Sequence, residues 1–252
     1  MSSRNQSTDL HQLQNPSWLK FIGGNLCLDF VNTVGGRVTA GGRKGSRDFA
    51  DKVIRDKISG FDDLLEWAQL GGVLTRNEAR RLARRSSVDR KQTAAVFQRA
   101  AKLREALYRI FKSVVEGWPA RAADVDQLRR EIAISREHER LHALRRAFAW
   151  EWDEGPGALD RVLWPVAQAA GELLTSGGLA RLRQCGGEEC GWMFLDTSRN
   201  RSRHWCDMKD CGNRAKVRRF RKRQSGERRR GKVAGRGRPV RTGGSVLRSG
   251  GR

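Results

Sequence analysis

No run of about 18 apolar residues occurs anywhere in the 252-residue sequence, so no membrane-spanning helix is expected. The opening MSSRNQSTDLHQLQNPS lacks the apolar centre that an export signal requires, which makes the cytoplasm the expected compartment. Histidine is scarce, and His11, His138 and His142 stand at no recognisable catalytic spacing from Cys, Asp or Glu. A phosphate-binding glycine loop, a nucleophile with a neighbouring base and a paired-carboxylate motif are all missing, so enzymatic activity is not expected. Internal repeats are also absent. The most telling shortage is of acid: 28 Asp and Glu face 51 Lys and Arg, a net charge of +23, and the expected partner is therefore acidic.

The excess is concentrated at one end. Residues 212–252 hold sixteen Lys or Arg against the single acid Glu227, which accounts for +15 of the +23 and leaves +8 for the preceding 211 residues. A polycationic segment binds polyphosphate by releasing condensed counterions, and an anionic membrane surface would attract it electrostatically too. The length suits one sizeable core and a smaller module. The expected organisation is a disordered N-terminus over 1–16, an α-rich domain over 17–180, a cysteine module over 181–224 and a disordered Arg- and Gly-rich tail over 225–252.

Apolar spacing predicts a mostly α domain with a small β hairpin. A short buried helix is expected over 25–34, and GGRVTAGGRKGSRD over 35–48 reads as a mobile surface loop. Ser59 with Asp62 suggests a capping box ahead of Leu64, Leu65, Trp67, Ala68 and Leu70, and Thr75 with Glu78 suggests a second. Three- and four-residue steps from Ala95 to Val115 predict a core helix over 89–116, ended by Gly117 and Pro119. Another helix fits 122–137. From Leu141 to Trp152 the period becomes two, which predicts paired strands with Phe148, Trp150 and Trp152 turned to the core. After Gly155-Pro156-Gly157 the pattern is helical again, with Pro165 at a kink or in the first turn, and LARLRQ links to the first of four clustered cysteines.

Those cysteines, Cys185, Cys190, Cys206 and Cys211, form two pairs, each with four residues between its members, separated by fifteen residues. Two short cysteine loops brought together supply the four thiolates that one structural Zn2+ takes in a tetrahedron. An iron–sulfur cluster or disulfides are the competing uses of such a set, and the fifth cysteine, Cys27, reads as a small buried residue. Trp192, Phe194 and Leu195 are expected in one strand and His204-Trp205 in the return strand, with DTSRNRSR as the turn, followed by a basic helix in a treble-clef-like order. His204 reads as a hairpin residue or phosphate contact, since four thiolates already complete the metal shell. A closed shell leaves no position for a reactive water, so the metal is expected to be structural.

Arg199, Arg201 and Arg203 alternate along the expected turn, and Arg214, Lys216, Arg218, Arg219, Arg221, Lys222 and Arg223 crowd the helix after Cys211. Cations on a rigid frame suffice for phosphate, while Asn200, Asn213 and the helix arginines are the candidates for reading bases. Nucleic acid is the expected partner, with DNA at the nucleoid as the first reading. RNA is the alternative, because Trp192 and Trp205 could stack on unpaired bases if they do not pack beneath the metal.

The segment CGWMFLDTSRNRSRHWCDMKDCGNRAKVRRFRKR is similar to the CGNR-type zinc finger, named for Cys211-Gly212-Asn213-Arg214. GGNLCLDFVNTV, with Asp29 and Asn32, resembles the opening of the ABATE domain that precedes this finger in stress-induced transcription regulators of bacteria. The chain departs from the family in its Gly- and Arg-rich stretch within 35–58, in His204 where Arg is expected, and in its longer basic tail. The resemblance implies a DNA-binding regulator with the four cysteines on zinc and the basic helix on DNA. It also implies an α-rich domain that senses a small-molecule effector or mediates assembly. Asp29, Asn32 and Trp67 are candidates for an effector pocket, and capping or a buried hydrogen bond is the competing role for Asp29 and Asn32.

Overall fold

A computed structural model of the chain describes residues 19–39, 51–153 and 158–234. The expected disordered N-terminus, 1–16, lies outside the described residues, as do 40–48 of the expected loop and 235–252 of the expected tail. The chain divides into two compact units, one running to Cys211 and one beginning at Gly212.

The first unit is built around α4 (Arg90–Glu116), whose buried face carries Val96, Ala100, Leu103, Leu107, Ile110 and Phe111 at helical steps. Asp89 caps its start by accepting from the Gln92 N–H, and Gly117 ends it in the left-handed conformation (φ 74°) that glycine adopts without penalty. Against α4 pack α1 (Leu26–Val31), α2 (Phe61–Leu70), α3 (Arg76–Val88) and α5 (Ala122–Glu137), and α5 and α1 in turn pack on α6 (Leu163–Thr175). Trp67 is fully buried with Phe30 at 5.1 Å and Phe21 at 6.3 Å, so α1 and α2 share one aromatic cluster. Each large side chain buried in this way contributes roughly 1.5–3 kcal/mol. Pro165 occupies the first turn of α6, where its missing N–H costs no hydrogen bond.

Thr75 and Glu78 form a reciprocal capping box at the start of α3. The box expected at Ser59 and Asp62 is displaced by one residue: Gly60 is the N-cap and makes no side-chain bond, while Asp63 takes both the N–H and the hydroxyl of Ser59.

Among the described residues of the unit there are also three two-stranded antiparallel sheets. β1 (Val34–Thr39) pairs with β2 (Asp51–Asp56), so the stretch expected to be loop from residue 35 begins as a strand. Its cause is long-range: Arg37 makes two hydrogen bonds to Glu105 of α4, at 2.7 and 2.8 Å, and lies 3.8 Å over the Tyr108 ring. Beside it, the Arg104 guanidinium holds Asp56 and the Thr33 hydroxyl. Buried arginines answered by carboxylates on the facing element fix the hairpin where its glycines could not.

β3 (Glu139–Leu144) pairs with β4 (Ala147–Trp152) as expected, but the aromatic alternation does not enter the core. Trp152 packs 5.7 Å from Trp164, whereas Phe148 and Trp150 are 71% and 63% exposed. The far end of a hairpin alternates in sequence as a covered strand does, whether or not anything lies over it.

β5 (Leu182–Gln184) pairs with β6 (Met193–Leu195), which corrects the expected return strand at His204-Trp205. The partner strand precedes the first cysteine. The second unit contains α7 (Asn213–Ala234), along which Arg214, Lys216, Arg218, Arg219, Arg221, Lys222 and Arg223 are exposed.

Candidate metal centre

Alternation along β6 divides two cores. Met193 points into the apolar core of the helical domain, while Trp192 and Phe194 join Cys185, Cys190, Cys206 and Cys211 in a separate cluster. The four sulfurs all lie within 4.8 Å of one another, with 3.6 Å from Cys190 to Cys206 and 3.5 Å from Cys206 to Cys211. A tetrahedron with zinc–sulfur bonds of about 2.3 Å has edges of about 3.8 Å, so the four cysteines make a centre for one zinc ion with little adjustment. All four are free thiols and 3–7% exposed, and among the described residues they are the one group of this kind.

The electrostatics of the four thiols favour a dication. Hydrogen bonds from Cys190 and Cys206, with the Cys206 and Gly187 N–H groups, pull Cys185 down to about 2. Holding protons toward that thiolate pushes Cys190 and Cys206 up, and burial adds to the rise. The set therefore shares protons that a bound zinc ion displaces, supplying instead the positive charge that keeps four thiolates together.

Backbone geometry beside the cysteines requires glycine at Gly191, and a side chain crowds Gly186. Gly191 has φ 70° and lies so close to Arg37 that an added Cβ would sit 2.7 Å from the Arg37 Cβ. A Cβ on Gly186 would meet the His204 ring at 2.3 Å. His204 thus lies over the first cysteine loop, edge-on to Trp205 at 4.4 Å, and outside the group of metal-binding side chains.

The centre is fastened to the helical domain by several polar contacts. Asn32 uses its whole amide on β6, donating to the Met193 carbonyl and accepting from the Met193 N–H, both at 2.8 Å. The Trp192 indole donates to Val34 O at 2.8 Å, the Leu195 N–H donates to Gly23 O, and Lys20 pairs with Asp207 at 2.8 Å.

These contacts redistribute the residues singled out in the sequence. Asp29 accepts from the Gly23 N–H at 2.7 Å, Asn32 clamps β6 and Trp67 is buried in the core, so each of the three has a structural partner. Trp192 is buried and tied to Val34, which removes it as a stacking platform. Arg203 is turned inward: it donates to the carbonyls of Trp205, Cys206 and Ile22 and lies 4.2 Å over Phe194. Arg199 and Arg201, which alternate with it along the loop, and Asn200 are exposed.

The residue that organises this loop is Asp196, which is 1% exposed. One carboxylate oxygen accepts from the Ser198 N–H and hydroxyl, the other from the Arg203 N–H, and the Ser198 hydroxyl accepts from the Ser202 N–H. These bonds, the Ser198 hydroxyl first, lower the Asp196 pKa. Arg201 completes the turn at φ 49°. The signal was present as Asp followed two residues later by Ser, the pattern of an Asx turn.

Comparison with known families matches residues 181–224 to the CGNR zinc finger and residues 24–177 to the ABATE family, described as "Putative stress-induced transcription regulator". A search of curated proteins finds no match. Because the second match covers more than half of its length and the first covers the metal centre, the chain belongs to the ABATE family and carries a CGNR zinc finger.

Proposed function

We propose that this protein is a transcription regulator that binds duplex DNA and depends on zinc to do so. The carrying observation is the loop held by Asp196, which offers Arg199, Asn200 and Arg201 to solvent between cysteines of one zinc centre. From the last of these cysteines the chain continues into α7, whose exposed Arg and Lys side chains suit phosphate. Zinc does no chemistry in this reading; it fixes a shape. Asn200, Asn213 and Arg214 are the proposed base-reading residues, since amide and guanidinium groups can pair with adenine and guanine edges.

The burial of Trp192 and the packing of Trp205 on His204 weigh against RNA, because they leave the finger without two open rings for unpaired bases. The helical domain would serve sensing or assembly, and the protein would act at the nucleoid. No helix among the described residues is long and apolar enough to cross a membrane.

Metal analysis of the purified protein, joined to parallel selections from a random duplex DNA pool and a random single-stranded RNA pool, tests the proposal. One zinc per chain and an enriched DNA sequence are expected. A chain with full zinc that enriches no duplex sequence overturns the regulator reading, and enrichment of unpaired RNA transfers it to the alternative.

A further inference from the structure

Residues 76–91 concentrate a charge that the finger does not explain. This stretch holds seven Lys or Arg against Glu78 and Asp89, a net +5, whereas residues 1–211 as a whole carry +8. Most of the net charge of the first unit therefore sits at one place, on α3 and the first turn of α4.

The helix displays this charge. α3 buries Ala79, Leu82 and Ser86. Its opposite side carries Arg76, Arg80 and Arg84 at steps of four, with Arg81 and Arg85 in the adjacent row, and all five are exposed. Both acids of the stretch serve helix caps: Glu78 accepts from the Thr75 N–H at 2.5 Å, and Asp89 accepts from the Gln92 N–H at 3.0 Å. Like charges four residues apart weaken an isolated helix, so the two arginine rows carry a cost to α3.

Three anionic partners can be weighed against this face. Insertion at a lipid surface needs apolar side chains flanking the cations, and the apolar side of α3 is inside the core. Unpaired nucleic acid is held by stacking on aromatic rings, and the exposed residues of α3 beside its arginines, Asn77, Ala83, Ser87 and Val88, include no ring. A duplex backbone asks for cations alone. From Arg76 to Arg85 the helix rises about 14 Å, a length over which one strand of duplex DNA sets out about four phosphates.

We propose that α3 is a second DNA-binding surface, one that grips duplex phosphates without reading sequence. It rests on the DNA reading of the finger and extends it: the helical domain contributes affinity directly, and the finger supplies selectivity.

The test uses the full-length zinc-loaded protein and a mixed-sequence duplex, with affinity measured across a series of salt concentrations. Arg80→Gln/Arg84→Gln/Arg85→Gln is compared with the finger variant Arg199→Gln/Arg201→Gln. The α3 variant is expected to lose roughly tenfold or more in affinity on every sequence, with a slope of log K against log salt shallower by about 2–3, near 0.9 for each phosphate contact removed. An unchanged slope in the α3 variant, beside a weakened finger variant, overturns the α3 proposal and leaves the DNA reading intact. Failure of the unaltered protein to bind any duplex overturns both. Loss confined to single-stranded RNA or to vesicles containing anionic lipid, with duplex binding unchanged, also overturns it. If the triple variant melts early, Arg84→Gln alone carries the test, with an expected slope change of about 1.

Discussion

The helical domain buries a continuous apolar core from Leu19 through Trp67, Leu107 and Phe111 to Leu173, whereas the cysteine segment buries four metal ligands, Trp192 and Phe194. The first core is held by the transfer of hydrocarbon from water and needs nothing added. The second places four mutually repelling sulfurs where hydrocarbon would otherwise be, and it keeps its shape through zinc and through contacts borrowed from the first. This contrast teaches where each part should fail, and four substitutions test it in order of expected effect.

Removing a ligand should separate the two cores most sharply. Cys206→Ser leaves three thiolates for zinc, and structural zinc sites supply on the order of 10 kcal/mol of folding free energy. Zinc content should fall close to zero, and hydrogen-exchange protection should vanish across 182–211 while α4 and α6 remain protected. Acidification should act in the same direction, because Cys190 and Cys206 hold their protons firmly and recover them as pH falls. Collapse of α4 protection together with the cysteine segment would break the comparison.

Trp67→Ala attacks the other core. The ring is buried against Phe30 and Phe21, so the substitution should cost about 3–5 kcal/mol in chemical denaturation. Zinc should remain bound in the folded population. Release of zinc in native buffer would show that the aromatic cluster supports the metal centre as well.

The seam between the cores is the third target. Asn32→Ala strips the Met193 N–H and carbonyl of their buried partner, at about 1–3 kcal/mol for each group left unsatisfied. Global stability should fall by about 2–4 kcal/mol, and transfer of zinc to a chelator should quicken. A stability loss with unchanged zinc transfer would mean that Asn32 serves the helical domain alone.

How much of this could be read in advance follows from range along the chain. The helices at 90–116 and 122–137 and the box at Thr75 lie where local periodicity and capping place them, because those signals are complete within a few residues. The four cysteines are legible for the same reason: their spacing is the signal. What escaped depends on partners far away. The β1 and β2 pair is fixed by Glu105 and Arg104 on α4, β5 is invisible as a strand until β6 lies beside it, and Arg203 turns inward because the Ile22, Trp205 and Cys206 carbonyls await it. Phe148 and Trp150 show the converse, a pattern with the right period and no cover.

The smallest expected effect concerns a carboxylate near the seam. Burial pushes Asp29 up to about 6, against the opposing pull of the Gly23 and Ile22 N–H groups, while an unfolded aspartate titrates near about 3.9. Between those values the folded chain keeps a proton that the unfolded chain has lost. The contribution of Asp29 to stability is therefore complete below about pH 4 and declines as pH rises through about 6. A shift of this size corresponds to at most about 3 kcal/mol at neutral pH, and partial contact with solvent reduces it to about 1–2 kcal/mol. Asp29→Asn retains an oxygen for the Gly23 N–H and removes the titration. The substituted protein should be more stable than the parent at pH 7 by about 1–2 kcal/mol, and the advantage should shrink as pH falls toward about 5. Because other carboxylates cancel in the difference between the two proteins, paired denaturation curves at the two pH values isolate this one group. An advantage that grows on acidification would reverse the sign and show that the folded chain holds Asp29 as the carboxylate.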